Sequence, residues 1–326
     1  MTDPKVSIIL IGYNDAARLP NALESLTSQS FREIEIIAVD DCSTDGSVEI
    51  LRAAAGTDPR IRVEVLAQNS GPSAPRNRGM ELASAPLIMF CDSDDRYDPH
   101  AVHNLYSAIS SMGADLVVGA TTRIISSSGE RKIWHPELYL ESRVVLGLVE
   151  EPRLLFDTIS VNKIYRARFL REHEIDFPPG LIFEDQLFTL KCYLAAARIG
   201  IIPEVVYYWN VEPDADVRSI TQSRHESRNA TDRIAINQLM DRELESDHTL
   251  GHLKNQKFLQ HELSLYLGTL FRLSESDSAE LIDILSQYVR RIPIEDFECL
   301  RPGVRVAVYY LLTGDQGKMR QALWWE

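Results

Sequence analysis

The sequence predicts an α/β fold, a mostly parallel sheet flanked by helices, followed by a smaller helical module. Three observations predict it. Over residues 6–120, short β-branched runs alternate with stretches of helical period, and that alternation builds a parallel sheet covered by helices. The runs are continuously apolar, as expected of strands buried on both faces. After about residue 223 strand signals fade, and helical stretches separated by short polar breaks take over.

The elements follow in order. Residues 6–11 are a strand, and 18–28 carry Leu19, Leu23 and Leu26 at helical spacing. Residues 35–39 are a second buried strand ending in Asp40 and Asp41, and 47–55 are a helix entered through Thr44-Asp45-Gly46. A third strand spans 61–66, a helix 75–84 with Pro75 near its first turn, and a fourth strand 86–90. A helix over 99–112 is stopped by Gly113, and 115–120 are a fifth strand. Residues 124–152 have weak pattern, with a hairpin tip at Ser126-Ser127-Ser128-Gly129. A short helix is expected near 166–173. A stronger one over 186–197, opened by Glu184-Asp185, places Leu187, Leu190 and Leu194 on one stripe. Residues 199–209 are strand-rich, 212–219 are polar, and helices follow at 227–244, 250–273, 278–290 and after Pro302. The expected division is therefore 1–222 and 223–326, and the apolar end Leu323-Trp324-Trp325 is expected to pack against the helical module or a neighbouring subunit.

Bulk properties narrow the function. The 326 residues carry a net charge of −14, which argues against broad nucleic-acid binding and simple docking on anionic membranes. Cys42, Cys91, Cys192 and Cys299 form no CxxC pair, so reduced thiols are expected rather than a zinc or redox motif. No apolar run approaches the ~20 residues of a spanning helix, and no signal peptide is evident at the N-terminus. The expectation is a cytoplasmic protein that meets any membrane-linked acceptor from the inner face.

In open α/β sheets, ligands bind beyond the carboxyl ends of the strands. Four polar groups fall at that edge: Tyr13-Asn14, Asp40-Asp41, Asn69-Ser70-Gly71 and Asp92-Ser93-Asp94-Asp95. The last group sets three carboxylates within four residues. Carboxylates that close repel one another, and a hard cation such as Mg²⁺ or Mn²⁺ relieves the repulsion while bridging to phosphates. A solvated acidic turn leading into the next helix is the alternative.

With residues 6–14, 39–46, 92–95 and Glu184-Asp185 in view, the chain resembles the family 2 glycosyltransferases, inverting enzymes of the GT-A fold. The resemblance covers about residues 4–222, and its specificity lies in the order and spacing of the set. Ile11 stands where the family commonly has a proline. The resemblance implies a role for each matching residue. Tyr13 and Asn14 border the nucleotide base, and Asp41 accepts a hydrogen bond from the uracil imide. Asn69, Gly71 and Arg76 form a second base-and-phosphate loop. Asp92, with Ser93 beside it, meets the ribose or the metal, and Asp94 is the main ligand of a divalent cation, Mn²⁺ or Mg²⁺. Asp185 is the catalytic base with Glu184 next to it. Arg218 and Thr221 belong to a loop that folds over the diphosphate. The implied donor is a nucleotide-sugar of the UDP type. The implied acceptor is a cell-envelope glycan, a wall polymer or a lipid-linked saccharide. The helical module would serve acceptor binding or homo-oligomer formation.

Plainer readings stand beside these. Asp185 also suits a helix N-terminus by charge alone, Glu184 a salt bridge, Asp41 a helix-entry turn, and Arg76 an exposed surface charge. Trp134, Tyr139, Tyr207, Tyr208 and Trp209 are either a sugar-stacking platform or core residues. His135 and His173 are expected at solvated surface positions. Two other functions compete. A nucleotidyltransferase would want a Gly-rich basic loop after the first strand, and Gly12-Tyr13-Asn14-Asp15 offers none. A non-catalytic sugar- or nucleotide-binding scaffold would not require Asp92, Asp94 and Asp185 together.

Overall fold

The computed structural model describes residues 3–211, 225–270 and 273–324. The chain divides into two compact units, Met1–Asp214 and Ala215–Glu326.

In the first unit, β1 (Val6–Gly12), β2 (Ile34–Asp40), β3 (Ile61–Val65) and β4 (Leu87–Asp92) lie parallel in the order β3-β2-β1-β4. Each is buried nearly throughout, apart from the half-wet edge strand β3. The connecting helices are α1 (Leu19–Thr27), α2 (Ser47–Thr57) and α3 (Ser73–Leu82), followed beyond β4 by the short β5 (Arg96–Tyr97) and α4 (Ala101–Met112). The helix expected over 75–84 therefore starts two residues earlier, at Ser73. Gly79 on α3 is required by close approach, because a Cβ there would lie 2.3 Å from Cγ2 of Ile9 in β1.

The sheet continues with β6 (Leu116–Ile125), β7 (Glu130–Trp134), β8 (Arg143–Val145), β9 (Lys163–Arg166) and β10 (Ile199–Val211), in the path β4-β9-β6-β10-β5. β10 runs parallel to β6 along ten paired residues, with irregularities between Ile202 and Val205 and between Val205 and Tyr207. β9 is antiparallel to both β4 and β6 and paired over only a few residues. The result is a mixed, mostly parallel sheet. The tip at Ser126–Gly129 joins β6 and β7 in an antiparallel hairpin, as expected. The fifth strand is longer than its apolar core, because β7 pairs along its extension.

Between β9 and β10 lie α5 (Ala167–Glu172) and α6 (Glu184–Ala195). The single apolar stripe expected of α6 is corrected. Leu187 and Leu190 are buried, but Leu194 is 39% exposed, and Gln186, Phe188, Thr189, Cys192 and Tyr193 are buried too. The helix is enclosed on most sides, and its aromatic residues complete a cluster with β4: Phe188 stacks on Phe177 at 3.9 Å, and both meet Phe90 edge-on.

The second unit is helical: α7 (Ser227–Glu243), α8 (His248–Lys257), α9 (Ser264–Leu270), α10 (Glu275–Val289), α11 (Pro302–Thr313) and α12 (Gln316–Trp324). A π-helical stretch, Phe258–Leu263, joins α8 to α9 without a break. Its core gathers Phe258, Leu263, Tyr266, Leu267, Leu285 and Leu311. Leu323 packs partly buried against that core. Trp325 lies outside the described residues.

Candidate active site

The loops after β1, β2 and β4 are tied to one another before any ligand is considered. Asn14, at φ 49°, accepts from the Thr44 amide at 2.8 Å, while its own amide donates to Ser43 Oγ at 2.8 Å. Asp15 accepts from Ser93 Oγ at 2.6 Å and from Arg18 Nε at 2.5 Å. Asp45 accepts from the Ala16 amide at 2.9 Å and from Ser47 Oγ at 2.6 Å. Tyr13 stands 49% exposed at this edge. Ser93, predicted to face the nucleotide, is buried and directed onto Asp15.

Asp41 is buried, and its carboxylate accepts from the backbone amides of Ser70 and Gly71 at 2.9–3.1 Å. Burial and the neighbouring Asp40 push this carboxyl up, and the two amides pull it down, with a net rise. Asp41 is thus the residue that shapes the Asn69–Gly71 loop, and the helix-entry role falls to Asp45 and Ser47 instead. Gly71 takes φ 78°, a left-handed conformation that favours glycine. Asn69 is exposed in the same loop.

The acidic turn separates into two functions. Asp95 is buried; it accepts from Tyr207 Oη at 2.9 Å and from the Asn210 amide at 2.7 Å, which anchors the turn to β10. Asp92 and Asp94 are half-buried at the edge. One ligand oxygen from each of Asp92, Asp94 and Asp95 lies within 4.8 Å of the others. Burial and the charge of Asp92 push Asp94 up to about 6, against the pull of Arg18, whose Nη1 is 3.8 Å from Asp94. An all-oxygen set that repels itself fits a hard divalent cation. Asp92 and Asp94 could hold it, since both oxygens of Asp95 already serve the anchor.

Arg76 corrects one expectation: it is 5% exposed and not a surface charge. It ion-pairs with Glu184 through Nη1, and its Nη2 donates to Asp92 Oδ1 at 2.6 Å. Glu184 is buried at the start of α6; burial and Asp185 push its carboxyl up, and Arg76 pulls it down. Asp185 is half-buried beside it, near enough for its charge to act on Arg76 and on Lys163. The turn into α6 is set by Phe183 at φ 67°, a left-handed non-glycine residue. Arg218 and Thr221 lie outside the described residues.

Of the aromatic candidates, Tyr139 and Tyr207 are buried core residues that bond to Asp157 and Asp95. Tyr208 donates to Asp98 at 3.0 Å. Trp134 and Trp209 are half-buried and meet edge-on at 5.7 Å, with Arg123 over the Trp209 ring. His135 is not at a solvated position: it lies against Trp134 and Phe156 and beside Glu137. His173 is exposed as expected.

Sequence reasoning passed over three contributors. Asp15 and Arg18 stand three residues apart just before a helix, and that spacing was the available signal. The third is a wholly buried group behind α6: Lys163 Nζ lies 3.4 Å from Asp157 Oδ1 and donates to Asn162 Oδ1 at 2.7 Å, while Tyr193 of α6 donates to the Asp157 carbonyl. Nothing in local periodicity marked it.

A mostly parallel sheet with an acidic turn after its fourth strand and a carboxylate pair opening a later helix defines an α/β protein whose sheet edge is lined with carboxylates. The family description "Glycosyl transferase family 2" matches residues 7–174, and the chain belongs to that family. It is similar to the poly(ribitol-phosphate) beta-N-acetylglucosaminyltransferase TarS of Staphylococcus aureus, with 28% identity over 95% of this chain and 54% of that one. A poly(ribitol-phosphate) beta-glucosyltransferase of Bacillus spizizenii is 26% identical over 95% of this chain and 49% of its own. The chain thus spans about half the length of these curated relatives. The crystal structure of S. aureus TarS residues 1–349 superposes with a TM-score of 0.75 at 25% identity, covering 98% of this chain and 90% of that one. A further TarS structure, in complex with UDP, gives 0.74 over the same shares. The GT-A fold expected from the sequence is therefore the fold of this chain, with a helical C-terminal region.

Proposed function

We propose that this protein transfers a sugar, with inversion, from a UDP-sugar to a hydroxyl of a wall polymer of the poly(ribitol-phosphate) kind. The observation that carries this reading is the pairing of two carboxylate groups at one sheet edge: Asp92 and Asp94 on one side, Glu184 and Asp185 on the other, joined through Arg76. The relatives' names supply the acceptor class, and the UDP bound to TarS supplies the donor class.

The chemistry asks two things of the site. The acceptor hydroxyl must lose its proton, and Asp185 is assigned as the general base. As the acceptor oxygen bonds to the anomeric carbon, the bond from that carbon to the diphosphate oxygen breaks, and its electron pair leaves with UDP. A divalent cation on Asp94 and Asp92, Mn²⁺ or Mg²⁺, would supply charge stabilisation for that diphosphate. One base and one displacement give inversion, and no carboxylate nucleophile is required. Tyr13, Asn14 and the Asp41-shaped loop with Asn69 and Gly71 are assigned to the nucleoside, and Arg218 and Thr221 to the diphosphate. Residues 1–222 carry the reaction, and 223–326 are assigned to the acceptor or to self-association. Cys42, Cys91, Cys192 and Cys299 are all free thiols, which supports a reducing compartment, and we assign the reaction to the cytoplasm on that reading. Among the described residues, no helix is long and apolar enough to cross a membrane.

Calorimetry with UDP, GDP, CDP, TDP and several UDP-sugars, in Mn²⁺ and then in EDTA, tests the reading. UDP-selective, Mn²⁺-dependent binding that Asp94→Ala loses is expected. No nucleotide binding under any condition would sink it.

A further inference from the structure

We infer that Arg76 is a positioning residue, which sets the base-bearing helix α6 against the acidic turn, and not a group that holds the nucleotide. The inference rests on the transferase reading for its purpose and on the contacts of α3 for its substance.

Both terminal nitrogens of Arg76 are engaged within the protein, Nη1 by Glu184 and Nη2 by Asp92. The residue is 5% exposed. Its guanidinium lies over the face of Phe177, 5.4 Å from the ring centre. Phe177 in turn stacks on Phe188 of α6 and meets Phe90 of β4 edge-on. A polar bridge and an aromatic bridge therefore join the same two elements, β4 with its acidic end and α6 with its base. The start of α3 is clasped to the segment that leads toward α6. Asn77 both donates to the Phe177 carbonyl and accepts from its amide, each at 2.9 Å. Ser73 Oγ donates to the Pro178 carbonyl at 2.6 Å. Gly79 lets α3 sit directly on Ile9 of β1, so the root of the Arg76 side chain is fixed by the sheet. A planar, always-charged fork is the group that can hold two carboxylates on separate elements in one geometry. Nucleotide binding alone would not require the clasp by Ser73 and Asn77.

The test compares wild type, Arg76→Met, Arg76→Lys and Ser73→Ala/Asn77→Ala. Hydrogen exchange is read on the substrate-free proteins, UDP affinity by calorimetry in Mn²⁺, and turnover as UDP release from UDP-GlcNAc. In Arg76→Met, faster exchange over residues 177–188 is expected, with kcat down about 100-fold and KM for UDP-GlcNAc within about threefold of wild type. Arg76→Lys restores part of kcat, because it returns the charge without the fork; loss of general stability alone would not give that split or that rescue. The Ser73/Asn77 variant, which alters no charge, loosens the same segment and lowers kcat less, and it decides the matter if Arg76→Met does not fold. Wild-type exchange over 177–188 combined with a tenfold or greater loss of UDP affinity would overturn the inference and make Arg76 a nucleotide ligand. Failure of the wild type to bind UDP would instead overturn the transferase reading, and the exchange comparison would still decide the role of Arg76.

Discussion

Asp94 shows how a single side chain reports on the site. Its carboxyl stands at about 6 in the folded chain against an ordinary 3.8, raised by burial and by Asp92. Between those values the folded state binds more protons than the unfolded one, so the contribution of Asp94 to stability falls as pH rises through that window. A bound cation replaces the proton and reverses the sense. Mn²⁺ affinity, measured by calorimetry from pH 5 to pH 8, is expected to rise by up to about tenfold per unit below pH 6 and to level off above it. A flat profile would remove Asp94 from the metal site. Asp185 makes a different demand. Asp185→Asn is expected to lower turnover by about 10²–10⁴-fold while leaving UDP affinity near wild type, as loss of a general base does. An equal loss in UDP affinity would assign Asp185 to the donor instead.

At the scale of elements, packing and buried charge decide stability. Gly79→Ala drives a methyl into Ile9, and overpacking of that kind costs about 1–3 kcal/mol, to be read as a lowered midpoint in denaturant. Lys163→Met leaves Asp157 buried without its cation. Removing one partner of a buried pair costs about 3–5 kcal/mol, so this variant is expected to be the less stable of the two. The same elements show what the sequence disclosed. The parallel half of the sheet was legible because each strand is an apolar run closed by polar residues; Asp92 and Asp94 stood out at the end of such a run, and Glu184 and Asp185 at the opening of a helix. β9 was not legible as a strand wedged antiparallel between β4 and β6, since four residues carry no usable period. The full enclosure of α6 was missed for a related reason: polar residues such as Gln186 and Thr189 are buried there, and burial of polar groups depends on partners distant in the chain. The bridge from Arg76 to Glu184 spans 108 residues, beyond any local pattern.

For the whole molecule, the division into two compact units gives a prediction of location. UDP with Mn²⁺ stabilises whatever it binds, by about 2.7 kcal/mol at a hundredfold excess over Kd. Hydrogen exchange is expected to slow in the loops after β1, β2 and β4, and to stay unchanged across the helices of residues 227–324. Protection centred on those helices would move the donor out of the first unit. The second unit holds one more instruction for anyone who cuts or compares such chains. An α-helix turns about 100° with each residue, so deleting a residue within α8 would swing Leu263, Tyr266 and Leu267 off their inward azimuth. The π-helical stretch Phe258–Leu263 is the exception, because a π turn contains one residue more than the α turn it replaces. Losing one of its two exposed residues, Gln260 or His261, is expected to leave the faces before and after it in phase. Along residues 248–270, that exposed step of the π turn is where a length difference of a single residue is expected to be absorbed while Phe258, Leu259 and Leu263 keep their places in the core, with an unchanged midpoint in denaturant as the check.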